Sequence, residues 1–460
     1  MDLFIELLPL WMFFALALLL FTGYPVAFVL GGVGLAFALL GDLAGEFRLQ
    51  QLSLIPLRIF GGTMESPVLV AIPMFIFMGT MLEKSGVAKD LLHALQVLLR
   101  RVPGGLALSV TLMGTIMAAT TGIIGASVVM MTLLALPVML DRNYSLPLAT
   151  GTIAASGTLG ILIPPSIMLV IMADLLSVPV GTVFIGAIVP GLLLSALYAV
   201  YIWGLCHWKP QLAPPLPDDV GPSNRAEFWG MVLKSFVPPV VLIVLVLGSI
   251  FGGFATPTEA AGVGAGGSIV LALFNRALTW KVFIEVCQRS ALTGGMLFGI
   301  FVGATCFSFV FRTLGGEHLI IEFIQATGVG PWSILLVLML MIFLLGFFFD
   351  WIEITLIVLP VFAPIVGLLD FGTHVGDWEG VTQANVIWFL VLAAVNLQTS
   401  FLTPPFGFAL FYMKGVAPPE VTIQHIYKGI IPFVVLQVFG LILCMAFPAL
   451  VLWLPSYLLR

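Results

Sequence analysis

The chain has 460 residues, of which 61% are hydrophobic and only 8% are Asp, Glu, Lys or Arg. An ordinary soluble domain is about a quarter charged, so these residues cannot cover a water-soluble surface. The composition indicates a multi-spanning membrane protein and excludes a nucleic-acid binder, a cytosolic enzyme and a disordered scaffold. The 48 glycines and 30 prolines predict broken helices and close helix contacts.

Apolar runs of about 20 residues, the length that one spanning helix needs, recur along the chain. Ten runs are predicted spans: 3–22, 25–41, 67–83, 146–176, 179–207, 231–251, 257–275, 281–312, 383–415 and 427–455. The amphipathic stretch 84–101 is predicted to be an interfacial helix. The proline-rich segment 208–230 is predicted to be a cytoplasmic linker between two halves.

Two further apolar stretches, 104–140 and 331–369, are each nearly twice the length of one span. The first is interrupted at 120–125 and the second around 346–353. Each stretch is either a pair of full spans or a re-entrant hairpin that enters and leaves on one side. Because the halves are short for full spans, hairpins are favoured, although loop charge does not exclude paired spans.

The loop charges predict the orientation of the chain. With the N-terminus outside, 13 Lys and Arg residues lie in inside segments, and the outside segments hold only Arg48, Arg58, Arg312 and Arg460. This positive-inside bias predicts that both termini lie outside. It also predicts that 104–140 opens to the cytoplasm.

A hairpin followed by a proline-broken span occurs twice, with opposite predicted orientations. The first unit comprises 104–140 and 146–176, and the second comprises 331–369 and 383–415. The helix breaks are predicted at two matching proline pairs: Pro164, Pro165, Pro404 and Pro405. Two broken helices at matching positions of an inverted repeat predict a binding site near the bilayer midplane.

Two carboxylates, Asp350 and Glu353, lie inside the second hairpin. A carboxylate at membrane depth is costly to bury, which favours a functional role. Asp350 is either a ligand for a hard cation or a polar clamp on the substrate, unless the hairpin tip lies in water. Glu353 is either part of the same site or a residue that caps the second half-helix.

Small and hydroxyl residues surround both predicted breaks. Thr121 and Ser127 flank the first hairpin tip, and Ser156, Thr158 and Ser166 line the first broken span. Such hydroxyls usually bond to the backbone of their own helix. Half-helix N-termini at the tips suit an anion, and freed carbonyls suit a sodium ion. Neither ligand needs an Arg or Lys, and the sequence places none near the breaks.

Enzyme motifs are absent from the sequence. It contains no HExxH zinc motif, no GxSxG elbow and no phosphate-binding loop, and its cysteines and histidines lack metal-ligand spacing. The chain is therefore predicted not to be an enzyme. The run at 256–259 has the residue types of a helix capping box, which predicts a helix start there.

Three runs occur in order along the chain: TGTIAASGTLGILIPPS at 150–166, FATPTEAA at 254–261 and NLQTSFLTPPFG at 396–407. Together they resemble the large membrane subunit of TRAP (tripartite ATP-independent periplasmic) transporters. The resemblance implies sodium-driven import of a small organic acid anion through a bacterial inner membrane, so that the outside position that the loop charges predict for both termini is the periplasm. It also implies two partners, a periplasmic binding protein and a separate small four-helix membrane subunit.

The DWIE run at 350–353 is similar to family branches that handle 2-oxo or hydroxy acids. The alternative is a self-sufficient ion exchanger or carboxylate symporter of related architecture. A third possibility, an intramembrane enzyme, is disfavoured by the missing catalytic pairs.

The resemblance further implies the fold, an all-α, inverted-repeat elevator with two re-entrant hairpins and two broken helices. Its mobile transport domain would hold 104–176 and 331–415. The remaining segments would form the scaffold: 1–103, 177–330 and 416–460.

Family roles are assigned only where residues match. Thr121 and Gly122 match a hairpin tip that usually carries a second hydroxyl, replaced here by Ile123. Ser166 and Asp350 match substrate-contacting positions and complete, with Thr121 and Glu353, the predicted substrate site. The predicted sodium ligands lie at the tips and breaks: Gly122, Ser127, Ser156, Gly157, Thr158, Gly160, Gly346, Asn396, Thr399 and Thr403.

Overall fold

The structure is a computed structural model that describes residues 7–121, 124–217, 221–222, 224–319, 322, 330–404 and 407–459. Within these residues, the regular secondary structure is helical. Seven helices of the described part are long and apolar enough to cross a membrane. The composition and the helices agree on a multi-pass membrane protein.

The first half of the chain forms α1 (Leu8–Leu20), α2 (Val26–Ala44), α3 (Leu54–Ile59), α4 (Ala71–Lys84), α5 (Val87–Leu98), α6 (Gly105–Thr121), α7 (Ile124–Asp141), α8 (Leu146–Thr158), α9 (Ile167–Leu175) and α10 (Val180–Trp208). The second half forms α11 (Arg225–Phe251), α12 (Pro257–Phe274), α13 (Trp280–Thr313), α14 (Pro331–Leu345), α15 (Trp351–Leu368), α16 (Ala384–Ser400), α17 (Phe408–Val416), α18 (Ile423–Ala446) and α19 (Ala449–Leu458). The predicted spans fall on these helices.

The last predicted span differs from the structure. Residues 427–455 are predicted as one helix, but α18 ends at Ala446 and α19 starts at Ala449. Phe447 has a non-helical backbone, with φ −127° and ψ 81°. Pro448 lacks an N–H and cannot continue the ladder of α18, but a proline is well tolerated where a helix starts. The chain therefore turns, and α19 packs on α10.

The predicted capping box and a helix in the predicted amphipathic stretch both occur in the structure, whereas the interfacial position of that helix stays a prediction. Thr256 and Glu259 form the predicted capping box at the start of α12, where the Thr256 N–H donates to the Glu259 carboxylate at 2.8 Å. The amphipathic stretch forms α5, whose buried face packs against α6 and α11. The apolar face of α5 therefore meets other helices of this chain.

One group of helices, here named the outer bundle, comprises α2, α4, α12 and α13. α2 packs along α13, while α4 packs against both α12 and α13. A Cβ added at Gly303 of α13 would lie 2.3 Å from the Ala27 carbonyl oxygen of α2. Only glycine permits this approach. The high glycine content predicted close helix contacts, and here a glycine allows two helix backbones to touch, as in membrane helix pairs.

A second group, here named the repeat core, comprises α6 to α10 and α14 to α18. Its helix contacts recur in matching pairs. Within each unit, α6 packs on α8 as α14 packs on α16. Between the units, α9 packs on α15 as α17 packs on α7. The helix that follows each broken helix also packs on the first half of the other unit's broken helix: α10 packs on α16, and α18 packs on α8. A two-fold relation between two units produces such exchanged contacts.

Three segments that are predicted to be cytoplasmic lie together at one end of the repeat core. The Leu106 N–H donates to the Tyr144 hydroxyl at 3.2 Å, and the Ser145 N–H donates to the Leu212 carbonyl at 2.8 Å. The start of α6, the end of α7 and the segment after α10 therefore meet at one end of the molecule. All three are predicted to be cytoplasmic; the orientation itself stays a prediction.

Candidate functional site

The first helix break lies between α8 and α9. α8 ends at Thr158, continues as a 3-10 turn over Leu159–Ile161 that contains Gly160, and is not helical again until Ile167. Pro164 and Pro165 lie in this gap, as predicted. Ser166 caps α9: its hydroxyl donates to the Ile161 carbonyl and accepts from the Leu169 N–H at 3.4 Å. Ser166 is fully buried, so its hydroxyl satisfies backbone groups that the break releases.

The second break lies between α16 and α17. α16 ends at Ser400 and α17 starts after Gly407, which has a φ of +50°. A Cβ at Gly407 would lie 3.0 Å from the Phe401 carbonyl oxygen, so glycine is required here. Pro404 lies in the gap, whereas Pro405 lies outside the described residues.

The two breaks meet inside the repeat core. The Gln398 amide donates to the Thr158 hydroxyl at 3.4 Å, and both side chains are fully buried. These residues are 240 positions apart, the same separation as that of Pro164 and Pro404. A contact between equivalent positions of two units lies on the axis that relates them, so the breaks meet at the pseudo-two-fold axis.

The first hairpin reaches the level of the first break. A Cβ at Gly157 would lie 2.5 Å from a Val128 methyl, and Val128 is within two turns of the hairpin tip. Ser156, one residue earlier, donates to the Thr111 hydroxyl at 3.3 Å. The predicted ligand Ser127, one residue before Val128, is buried. Gly122 and the Thr121 side chain lie outside the described residues.

The second hairpin reaches the level of the second break in the same way. A Cβ at Gly346, which follows the last residue of α14, would overlap the Ser400 hydroxyl. The buried Asn396 amide donates to the Met339 carbonyl at 2.6 Å. Each hairpin tip therefore lies beside the end of the first half of its own broken helix.

Asp350 and Glu353 form a capping box at the start of α15. The Trp351 N–H donates to the Asp350 carboxylate at 2.8 Å, and the Asp350 N–H donates to the Glu353 carboxylate at 2.9 Å. Both side chains are half-buried. The capping alternative for Glu353 is thus present in the structure, and their role in substrate binding stays a prediction.

Tyr412 of α17 is a site residue that the sequence analysis missed. Its ring lies over Gly125 of the first hairpin, where an added Cβ would lie 2.9 Å from a ring carbon. It is also within electrostatic reach of Asp350 and Glu353. Tyr412 therefore contacts the first hairpin and lies in the neighbourhood of the carboxylates of the second. Its position in the first turns of the helix after the second break was the available clue.

Gln398 is the second residue that the sequence analysis missed. It is fully buried, and its carbonyl oxygen has no hydrogen-bond partner within the described residues. An unpaired buried amide oxygen is unfavourable, and a cation or a water would satisfy it. The clue was its place in the polar run before the second break, at the position equivalent to Thr158.

The predicted sodium ligands keep acceptor capacity. Thr399 and Thr403 donate their hydroxyl protons to carbonyls one turn earlier, those of Val395 and Thr399, at 3.0 and 2.8 Å. A hydroxyl that donates still has lone pairs for a cation. Among the described residues, no three His, Cys, Asp or Glu side chains form a metal site, so a cation at the breaks would take hydroxyl and carbonyl oxygens. These assignments stay predictions.

A cavity of about 720 Å³ opens between the repeat core and the outer bundle. On the repeat-core side it reaches Gly125 and Tyr412. On the other side it is lined by Lys84, Lys89 and Arg289. The fold thus places basic side chains in a cavity that reaches the candidate site, although no Lys or Arg lies near the breaks in the sequence.

Comparisons with known proteins agree with this architecture. Residues 13–450 match the family model described as the DctM component of the tripartite ATP-independent periplasmic transporters. The C4-dicarboxylate TRAP transporter large permease protein DctM of Pseudomonas aeruginosa is 31% identical over 405 residues, covering 86% of this chain and 88% of that protein. The sialic acid TRAP transporter large permease protein SiaM of Vibrio cholerae is 27% identical and covers 96% of this chain and 97% of that protein. These relatives are transporters, in agreement with the expectation that the chain is not an enzyme.

A solved structure is similar in fold. The Alcanivorax borkumensis YdaH transporter aligns with a TM-score of 0.58 at 16% identity, covering 86% of this chain and 87% of that chain. At this identity the likeness shows a shared fold alone. It supports the helical fold independently of the sequence match.

The bond between Asn396 and Met339 gives a test of how the second hairpin is attached. Asn396→Leu removes this donor, while the Met339 carbonyl keeps its backbone bond within α14, so we expect the free energy of unfolding to fall by about 0.5–1.5 kcal/mol, measured as a lower melting temperature in detergent. The control is Asn385→Leu, because Asn385 is half-buried and donates to Leu369 at 3.1 Å near a loop, where water can replace it. Equal shifts for the two variants would contradict the proposed attachment.

Proposed function

The chain belongs to the DctM family of tripartite ATP-independent periplasmic (TRAP) transporters, as their large membrane component, and from that premise we propose that it imports a small organic acid anion with sodium ions. A periplasmic binding protein delivers the substrate, and a separate small membrane subunit completes the transporter in the bacterial inner membrane. The observation that carries the proposal is the meeting of the two helix breaks at Thr158 and Gln398. Polar groups buried where two broken helices meet are typical of a transporter binding site near the bilayer midplane.

Both hairpins are proposed to be re-entrant. α6 and α7 have 17 and 18 residues, or roughly 26 Å of helix, which is just short of the ~30 Å hydrocarbon core. Length alone therefore does not decide the question, and α7 is apolar enough to span. The contacts favour re-entrance, because Val128 near the tip packs beside Gly157, where the broken span is only half complete.

An elevator movement is proposed, with the repeat core as the moving body and the outer bundle as the fixed one. The exchanged contacts tie α10 to α16 and α18 to α8. We therefore assign α10, α18 and α19 to the transport domain together with both hairpins. The family resemblance implied instead that 177–330 and 416–460, which contain these helices, belong to the scaffold. Separating α18 from α8 would expose the tight contact of Gly151 with Gly429.

The site favours a carboxylate that also carries a hydroxyl group. α17 begins at Gly407, which has no side chain to cap the helix, so its first N–H groups and positive dipole end suit a substrate carboxylate. Asp350 offers acceptor oxygens, which bind a hydroxyl proton and have no favourable partner in a 2-oxo group. Sodium ions at the breaks would offset the repulsion between Asp350 and the substrate anion.

Uptake into proteoliposomes tests the proposed function. We expect accumulation only with an inward sodium gradient, the cognate binding protein and the small subunit together. The substrate panel pairs each hydroxy acid with its oxo or deoxy analogue: lactate, pyruvate and propionate, then malate, oxaloacetate and succinate. Full-rate uptake without the binding protein would instead favour a self-sufficient symporter, and uptake without sodium would contradict the proposed coupling.

Substitution of Asp350 separates its capping role from its substrate role. Asn caps helices about as well as Asp, so Asp350→Asn should keep the melting temperature while it reduces uptake of the hydroxy acid by about tenfold, as expected for a charged hydrogen bond. Asp350→Ala should lose stability as well as uptake. The stability of each variant is measured in detergent and its uptake in proteoliposomes. Normal uptake by Asp350→Asn would remove the Asp350 charge from the site.

A further inference from the structure

The cavity between the repeat core and the outer bundle has two chemically different walls. The repeat-core wall is apolar apart from Tyr412 and includes Gly125, Val129 and Leu133. The outer wall carries every charged residue that lines the cavity: Glu83, Lys84, Lys89 and Arg289. The charges therefore stand on the helices α4, α5 and α13, outside the proposed moving body.

Two of the three cations on this wall are paired. Lys84 bonds to Glu285, and Arg289 bonds to Glu83 at 3.2 Å. Lys89 is exposed, and among the described residues it forms no ion pair. The adjacent Asp90 is not among the residues that line the cavity. The cavity wall thus presents one uncompensated positive charge.

An unpaired cation beside a low-dielectric wall attracts anions into a cavity, because the field is focused where water is confined. The same cavity extends to Gly125 and Tyr412 at the candidate site. An anion that leaves the site on this side therefore passes an apolar surface on the repeat core and meets Lys89 on the outer wall.

We propose that Lys89 forms a transient site for the carboxylate of the departing substrate on the cytoplasmic side of the transporter. This inference rests on the proposed function. The substrate carboxylate would pass from the half-helix N–H groups of the repeat core to a cation on α5. Because the contact is exposed to water, it holds the anion weakly and lets it leave.

The first arm of the test measures the attraction of anions without transport. A fluorophore is attached to Leu133→Cys, at an exposed position on the cavity wall, and is quenched with potassium iodide or with neutral acrylamide at matched ionic strength. Lys89→Ala should lower iodide quenching about twofold and leave acrylamide quenching unchanged, and about 0.5 M salt should abolish the difference. Equal iodide quenching in both proteins would overturn the proposal.

The second arm measures exchange of the transported acid from the cytoplasmic face of oriented proteoliposomes. Lys89→Ala should raise the half-saturating concentration on that face about two- to fivefold, the effect of one exposed charge contact, and Lys89→Arg should restore it. Lys209→Ala, at an exposed lysine after α10, is the matched control and should change nothing. If exchange by Lys89→Ala is unchanged, the site is not used and the inference fails.

The two arms separate this inference from the proposed function. If the wild-type complex transports no organic acid, the proposed function fails, and with it the assignment of the Lys89 site to a substrate. If the wild type transports but Lys89→Ala behaves like Lys209→Ala, only the inference about Lys89 fails.

Discussion

A helix that breaks inside a membrane must satisfy its released backbone groups within the protein, because lipid offers no hydrogen bonds. The described parts of both breaks meet this constraint with local side chains. Ser166 bonds to Ile161 and Leu169 across the first break, and Thr403 bonds to Thr399 at the second. Much of the repeat core can be understood as packing that keeps water and lipid away from these two interruptions.

The two-fold relation between the units follows from the same constraint. One broken helix alone would leave its break facing lipid, whereas two breaks placed against each other bury both. Thr158 and Gln398 meet where the axis passes. Each hairpin then closes its own side, as shown by the contacts of Gly157 with Val128 and of Gly346 with Ser400. The predicted binding site therefore lies where the fold buries its two breaks, because the residues beside the breaks are also the predicted ligands.

Local sequence patterns predicted the helices and their breaks well. Hydrophobic length placed the spans, and proline pairs placed the interruptions, since proline acts on its own backbone and on the preceding turn. The capping box at Thr256 could be predicted for the same reason, because its partners are three residues apart. The split at Pro448 was missed because one proline in a long apolar run is often accommodated as a kink.

Residues that meet across the fold could not be predicted in the same way. Tyr412 reaches the first hairpin only because α17 packs on α7, and Lys89 reaches the same cavity only because α5 packs on α6. No local pattern encodes these contacts. The scaffold assignment of α10 and α18 followed their sequence position outside the hairpin units, whereas their packing follows the pairing of the units. Polar runs thus indicated where the site lies but not which distant side chains complete it.

The proposed elevator movement requires the repeat core to move as one body against the outer bundle. Distances between spin labels test it most directly in the complete transporter. One pair joins Phe274→Cys at the end of α12 to Asp141→Cys at the end of α7, and a second pair joins Asp141→Cys to Lys428→Cys on α18. Sodium and substrate should change the first distance and leave the second unchanged. A change in the second distance with a constant first distance would contradict the account.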